Sequence, residues 1–304
     1  MTLTRKQKER FLHLWPKILL PRTRENFRNN IYRITVKERK EEMARNNINF
    51  IDPWAFIRVK NERKTLLASL NSIRSIIHKG VIAYNYTEDE VSDGSERIVE
   101  EFCKDNPRFI PFRYPYHVEP VNSPKYFDKS LQEKNTLAGY YNAVLSKIPK
   151  NVWFLKIDVD QIYCPEILKH SFSLPQSIKD IVIYSRLNVI RVNNEVKVCS
   201  YIRPGDHWLV YNDNLKFINV IKKEGSLLNK KVLAFEQLKL GTKHNIPFYP
   251  ECSTLHFQYE KIGRYYKEDT SNLKTLRDFL DSAPPDEFSD ELISLLKYIK
   301  FFNW

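Results

Sequence analysis

The sequence predicts an α/β fold: a mostly parallel sheet with helices on both faces, carrying helical extensions at its amino and carboxyl ends. Three observations predict it. Between residues 54 and 157, short apolar runs of strand length alternate with segments whose apolar residues recur at helical spacing. The runs are apolar throughout, as strands covered on both faces are, and do not alternate with polar residues. Finally, 42% apolar and 13% aromatic residues in a chain of 304 supply one large core or two modest ones. Only 7 glycines and no heptad or triplet repeat exclude coiled-coil and collagen arrangements.

The elements follow in order. After Asp52-Pro53, residues 54–60 read as a first strand, and Leu66, Leu70, Ile73 and Ile77 then mark a helix. The step repeats as a strand over 81–86 and a helix opening at Ser95, with Ile98, Val99 and Phe102 on one face. A strand over 109–114, a helix over 135–148 and the apolar run 152–157 complete this half. Beyond Asp160 the pattern predicts strands over 181–192, 196–201 and 208–211 and helices around 217–223 and 232–240, an α+β arrangement. Near the end, Ser289 is a cap candidate followed by Asp290 and Glu291. Leu292, Leu295, Leu296, Ile299 and Phe302 then form one apolar stripe, which needs the domain, a second subunit or a lipid surface to cover it.

Charge is unevenly placed. The net charge is +12, and residues 1–50 hold 13 Lys/Arg against 5 Asp/Glu. Apolar residues (Phe11, Leu12, Leu14, Trp15, Ile18, Leu19, Ile31, Ile34) are scattered among these charges. Two readings stay open: an amphipathic helix on an anionic membrane surface, or a helix packed on the body. No apolar run is long enough to span a bilayer. Cys103, Cys164, Cys199 and Cys252 are widely spaced without a CxxC pair, which predicts reduced thiols in a cytoplasmic protein.

The sharpest chemical signal is Asp158-Val159-Asp160 at the end of the apolar run 152–157. Alternate residues of an extended segment point the same way, so the two carboxylates face one spot suited to Mg²⁺ or Mn²⁺, which can bridge nucleotide phosphates. An Asx-type turn ending a strand is the structural alternative. Asp93-Gly94-Ser95 places a carboxylate and a flexible backbone before a helix, to accept from a base or ribose or else to form a plain turn. Arg58, Lys60 and Glu62 stand at the end of the first strand, where charges need a ligand or one another; an Arg58–Glu62 pair is the internal alternative. His256 is a candidate third metal ligand or a packed histidine. Asp206 and Glu236 are candidate general bases.

In this order, these residues resemble a glycosyltransferase of the GT-A fold. The resemblance is closer still to bacterial β-1,4-N-acetylgalactosaminyltransferases that build lipooligosaccharide outer cores. It is carried by Pro53-Trp-Ala-Phe-Ile-Arg-Val-Lys-Asn-Glu62, Gly80-Val-Ile-Ala-Tyr-Asn85, Asp93-Gly-Ser-Glu-Arg-Ile-Val-Glu-Glu-Phe-Cys103, Phe109-Ile-Pro-Phe-Arg-Tyr-Pro-Tyr116 and Trp153-Phe-Leu-Lys-Ile-Asp-Val-Asp160. The match is dense over 53–160 and thins to isolated positions beyond.

The resemblance implies a catalytic domain over 51–262, with a nucleotide-binding half (51–160) and an acceptor half (161–262), between a basic segment (1–50) and a helical extension (263–304). It implies that Arg58, Lys60, Glu62 and Asp93 line the uridine pocket with Asn85 near them, that Asp158 meets the ribose or metal, and that Asp160 and His256 complete a Mn²⁺ or Mg²⁺ site. Glu236 stands where relatives carry Glu-Asp; Gln237 departs from that pattern, so the base lies between Glu236 and Asp206. The implied reaction is an inverting transfer from a UDP-sugar, GalNAc first and galactose or GlcNAc next, to a glycan or glycolipid hydroxyl. It would proceed at the inner face of the bacterial cytoplasmic membrane, with peripheral membrane contact and a homo-oligomer through the C-terminal helix among the expected associations.

Two other classes predict different residues. A metal-dependent nucleotidyltransferase would carry a glycine-rich loop after the first strand, where this chain has Lys60-Asn61-Glu62. A nucleic-acid-binding module would interleave basic and aromatic residues over one face, whereas here the charge is terminal, so no nucleic-acid partner is expected.

Overall fold

Burial of alternate residues on opposite faces of one sheet organises the chain. The computed structural model describes residues 18–19, 32–44, 48–87, 92–121, 123–192, 195–224, 231–240, 247–261, 273–282 and 287–299. Two short strands, β1 (Ile18–Leu19) and β2 (Tyr32–Arg33), precede helix α1 (Val36–Met43). This helix starts at a capping box: the Glu38 amide donates to the Thr35 hydroxyl, and the Thr35 amide donates to the Glu38 carboxylate at 2.8 Å. Then come β3 (Trp54–Val59), α2 (Arg63–Ile73), β4 (Gly80–Asn85), α3 (Ser95–Asp105), β5 (Phe109–Tyr114), α4 (Leu137–Leu145) and β6 (Trp153–Asp158). All are where the periodicity places them.

β3, β4, β5 and β6 pair in parallel in the order β6-β3-β4-β5. On one face, Ile57, Ile82 and Leu155 pack with Leu66, Leu70 and Ile73 of α2 and Val99 and Phe102 of α3. On the other, Phe56, Val81 and Phe154 pack with Tyr140, Tyr141, Val144 and Leu145 of α4. The predicted α/β sheet with helices on both faces is therefore present. Gly94, at φ +86, occupies the left-handed region before α3, so Gly94 rather than Ser95 is the N-cap.

After β6 come β7 (Gln161–Tyr163), α5 (Pro165–Ser171), β8 (Ile181–Val192) and β9 (Glu195–Tyr211). β9 lies between β8 and β6 and is antiparallel to both. The sequence predicts two strands here, over 196–201 and 208–211. One strand runs through instead. The ladder shifts register between the pairs Tyr184–His207 and Arg186–Ile202, so a bulge takes up the residues between the two predicted strands.

The predicted helices around 217–223 and 232–240 are strands, β10 (Lys216–Glu224) and β11 (Lys231–Lys239), paired antiparallel with β1 beside β11. The buried positions Ala234, Glu236, Leu238 and Leu240 recur with period two, with Gln237 buried as well, and Leu238 and Leu240 pack on the α4 side of the sheet. The Asn142 side chain fixes this hairpin to α4, donating to the Phe217 carbonyl at 2.9 Å and accepting from the Phe217 amide at 2.7 Å. A side-chain amide thus acts as one more β-partner.

β12 (Pro247–Tyr249) joins β2 and β8 in parallel, and β13 (Thr254–His256) lies between β7 and β8. The C-terminal extension consists of β14 (Lys274–Thr275), α6 (Leu276–Ser282) and α7 (Asp290–Ile299). Leu292, Leu296 and Ile299 pack against Ile162, Ile167, Leu255, Phe279 and Phe288, so the chain's own body covers the stripe. Phe302 lies outside the described residues.

Most of the basic 1–50 segment, and with it the membrane-surface reading, also lies outside them. Its helix α1 is bolted to the body. Buried Arg39 pairs with Glu251, beside β12, and with Glu291 of α7 at 2.9 Å, while Glu42 meets His170 of α5 at 2.7 Å. All four cysteines are free thiols. Among the described residues no helix is long and apolar enough to cross a membrane.

Candidate active site

The strand order itself locates the site. Successive strands β3, β4 and β5 advance one way, whereas β6 returns to the other side of β3. In a parallel sheet this reversal opens a crevice outside the carboxyl ends of the two strands that flank it. Register places Arg58 opposite Asp158 there.

Asp158 is held from within. The Lys156 ammonium, its side chain only 3% exposed, bonds both carboxylate oxygens at 2.8 and 2.9 Å, and the His207 ring stands 3.8 Å from one of them. The Lys156 and Arg58 cations lie 5.9 and 6.0 Å from the centre of the Tyr141 ring. Burial pushes the Tyr141 hydroxyl up; Lys156 and Arg58 pull it down, and Glu236 and Asp158 push it up again. Five groups from β3, α4, β6 and β11 therefore share one field. Burial alone would lower the Arg58 pKa, but the surrounding Tyr141, Glu62 and Asp158 raise it and hold the guanidinium charged. Among the described residues its buried Nε finds no hydrogen-bond acceptor.

Glu236, 6% exposed, belongs to this face through β11, not through the helix expected for it. It lies opposite Asn219 on β10, and Asn219 accepts from the Tyr126 hydroxyl at 2.7 Å. Burial, and after it the charge of Glu236, pushes Tyr126 up to about 12. Asp206 lies on β9, and its side chain falls outside the described residues.

Asp160 meets a different partner. β13 pairs with β7 and β8 so that His256 stands opposite both Gln161 and Asn188, and the Phe257 amide donates to the Asp160 carbonyl at 2.8 Å. Nε2 of His256 then lies 3.3 Å from an Asp160 carboxylate oxygen, while Nδ1 lies 2.7 Å from Oδ1 of Asn188. The Asn188 amide nitrogen donates to Ser200 at 2.6 Å, which leaves Oδ1 to accept from the ring. Nδ1 therefore donates to Asn188, and Nε2 is turned toward the Asp160 carboxylate. A ring nitrogen and a carboxylate so placed hold a proton or a cation between them. Ligands at 2.1 Å in adjacent octahedral positions stand about 3 Å apart, so the pair fits a divalent ion.

The three-residue set Asp158, Asp160 and His256 is not assembled: among the described residues no group of three or more His, Cys, Asp or Glu side chains is placed to hold a metal. A Mg²⁺-like ion needs fewer, because it keeps waters and takes substrate phosphates with one or two carboxylates.

The remaining predicted residues hold the strand ends together. The Asn85 amide donates to the carbonyls of Tyr114 and Tyr116 at 3.1 and 2.7 Å and accepts from Lys60 at 3.2 Å. Buried Glu62 pairs with Lys261 at 2.6 Å in place of Arg58. Asp93 accepts from the first amides of α2 (Arg63, 3.0 Å) and α3 (Ser95, 3.0 Å) and from the Tyr86 hydroxyl (2.8 Å). These bonds outweigh burial and lower its pKa. Sequence reasoning missed Lys156, Tyr141 and His207. A lysine inside the run Trp153–Asp158 is the signal that can find the first, since a buried charge demands a partner.

The family model for β-1,4-N-acetylgalactosaminyltransferase (CgtA) matches residues 15–284, which takes in every residue of this site. The chain belongs to this family. It is thus a glycosyltransferase, the class to which the CgtA description points. No curated protein matches it. Among solved structures it is similar to the inositol-1-phosphate CTP transferase from T. maritima (8% identity, TM-score 0.35, 84% of this chain and 98% of that one). It is also similar to a putative UDP-N-acetylglucosamine pyrophosphorylase from Entamoeba histolytica (12% identity, TM-score 0.26, 62% and 64%).

Proposed function

We propose that this CgtA-family chain transfers GalNAc from UDP-GalNAc, with inversion, to a hydroxyl of a lipooligosaccharide or related glycan, using Mn²⁺ or Mg²⁺, at the inner face of the cytoplasmic membrane. The observation that carries the metal-dependent reading is the facing of Asp160 and His256 across 3.3 Å beside a buried charged cluster at the sheet's switch point. Asp160 and His256 would hold the divalent ion, which when bound would supply positive charge to the departing diphosphate. Asn188 keeps the imidazole in the tautomer that exposes Nε2. The buried Nε–H of Arg58, without an acceptor among the described residues, is a donor ready for a phosphate oxygen.

Glu236 takes the acceptor's hydroxyl proton as that oxygen bonds to the anomeric carbon. The sugar–phosphate C–O bond breaks on the opposite face, and its electron pair leaves with UDP. Burial of Glu236 among Tyr126, Tyr141 and Asn219 keeps competing water from it.

Calorimetric titration with UDP in the presence of Mn²⁺ tests the reading. Binding is expected to require the metal and to weaken at least about tenfold in Asp160→Ala. Binding indifferent to both overturns it. A panel of UDP-sugars assayed for hydrolysis identifies the donor; preference for UDP-galactose or UDP-GlcNAc replaces the GalNAc assignment.

A further inference from the structure

Glu236 has one exposed polar neighbour. Tyr126 and Tyr141, whose hydroxyls feel its charge, are both buried, whereas Asn219, opposite it on β10, is exposed. An acceptor hydroxyl that reaches Glu236 therefore passes Asn219. The two residues are directly opposed in an antiparallel ladder, so their side chains leave the same face with Cβ atoms about 5 Å apart. Side chains so spaced can hold two oxygens on adjacent carbons of one sugar ring.

The orientation of Asn219 is fixed from both sides. The Tyr126 hydroxyl donates to its Oδ1 at 2.7 Å, which turns the amide nitrogen, a donor only, away from the tyrosine. Tyr126 lies in the 3₁₀ turn Pro124–Phe127, where its amide donates to the Ser123 hydroxyl at 3.2 Å. The loop that carries this turn is closed at its base by the Glu119 amide, which donates to the Asn135 carbonyl at 2.9 Å. On the strand, Asn142 locks Phe217, two residues before Asn219, to α4. A side chain clamped in this way loses little freedom when it binds.

We infer that Asn219 is an acceptor-binding residue whose amide, positioned by Tyr126, donates to the oxygen beside the hydroxyl that Glu236 deprotonates. This rests on the assignment of Glu236 as the base. For the β-1,4 linkage of the family's name the attacking oxygen is O4, and the neighbouring oxygen is O3. An amide N–H needs only a lone pair, so O3 serves equally as a hydroxyl or as an ether, while its removal leaves the donor unpaired.

The test is transfer to p-nitrophenyl β-glycosides, with Mn²⁺ and the UDP-sugar that the chain hydrolyses fastest. The galactoside, glucoside and N-acetylglucosaminide are assayed first, and the best of them is compared with its 3-O-methyl and 3-deoxy analogues. The 3-deoxy compound is expected to lose about three- to tenfold in kcat/KM, the worth of one neutral hydrogen bond, and the 3-O-methyl compound to stay within about twofold. Asn219→Ala is expected to lose the same factor on the parent glycoside and to stop discriminating against the 3-deoxy compound. Because Asn219 is exposed, the variant is expected to fold, which UDP affinity within about twofold of the unaltered chain reports. Tyr126→Phe is expected to raise the acceptor KM in the unaltered chain and to add nothing to Asn219→Ala, whereas a merely structural tyrosine would lower activity in both. Equal kcat/KM on the parent and 3-deoxy glycosides, a 3-O-methyl loss as large as the 3-deoxy loss, or continued discrimination by Asn219→Ala overturns this inference alone. Full transfer by Glu236→Gln overturns the choice of base, transfer to none of the glycosides overturns the glycan-acceptor reading, and the inference falls with either.

Discussion

Replacing Arg39 by methionine tests how the amino-terminal helix is joined to the catalytic body. Arg39 is 5% exposed and is shared between Glu251, almost fully buried, and Glu291 of α7. Methionine retains much of the apolar stem and removes the charge. Glu251 is then left buried without its cation. Burial raises the pKa of Glu251 even with Arg39 in place, whereas Glu291, against its partial burial, is held down to about 2 by Arg39, its own backbone amide and Ser289. Breaking one side of a buried ion pair costs about 3–5 kcal/mol, so urea unfolding at pH 7 is expected to show a loss of that size. At about 2 °C per kcal/mol for a chain of this length, the melting temperature falls by roughly 6–10 °C. The sign with pH follows from Glu291. A carboxylate depressed from 4.5 to about 2 contributes stability that is present above pH 4.5 and lost as pH falls toward 2, so the gap between variant and parent narrows over that window. Adding Glu251→Gln to Arg39→Met is expected to restore at least half the loss. A single variant within about 1 kcal/mol of the parent, or a gap that widens in acid, refutes the account. The same reasoning makes a chain begun at residue 51 unstable, because it lacks Arg39 and the buried Ile34.

Two further outcomes are expected. Glu236→Gln keeps UDP affinity and lowers the transfer rate by about 10²- to 10⁴-fold, the range for removing a general base; if Asp206→Asn does so in its place, the base is Asp206. Asp93→Asn weakens the starts of both α2 and α3, with a loss of about 0.5–2 kcal/mol in thermal or urea unfolding. Because the folded pKa of Asp93 lies below 3.8, its contribution is present above that value and fades as pH falls through the folded value, so parent and variant converge in acid. A larger effect of Asp93→Asn on UDP affinity than on stability assigns this carboxylate to the nucleotide.

The alternating half was legible because its strands are buried on both faces: Phe56 and Ile57, or Val81 and Ile82, must each be apolar whichever helix covers them. The hairpin of β10 and β11 was not. Val220, Ile221, Leu233 and Phe235 form short apolar stretches that fit a buried helix as well as a strand, and the period of two shows only once Glu236 is seen to face inward with Ala234 and Leu238. The stripe on α7 was legible as a stripe, but its cover of Phe279, Phe288 and Leu255 comes from three separate stretches of chain.

Read alone, the residues determine a parallel α/β sheet, an acidic strand end and the family to which the chain belongs, since these depend on local periodicity and on short motifs. Which groups Asp158 and Asp160 meet depends on register. Asp158 meets Lys156 because both project from one face of β6, and Asp160 meets His256 because β13, almost a hundred residues on, pairs between β7 and β8. Which charge neutralises which carboxylate is settled by distance in three dimensions, and only the folded sheet sets that distance.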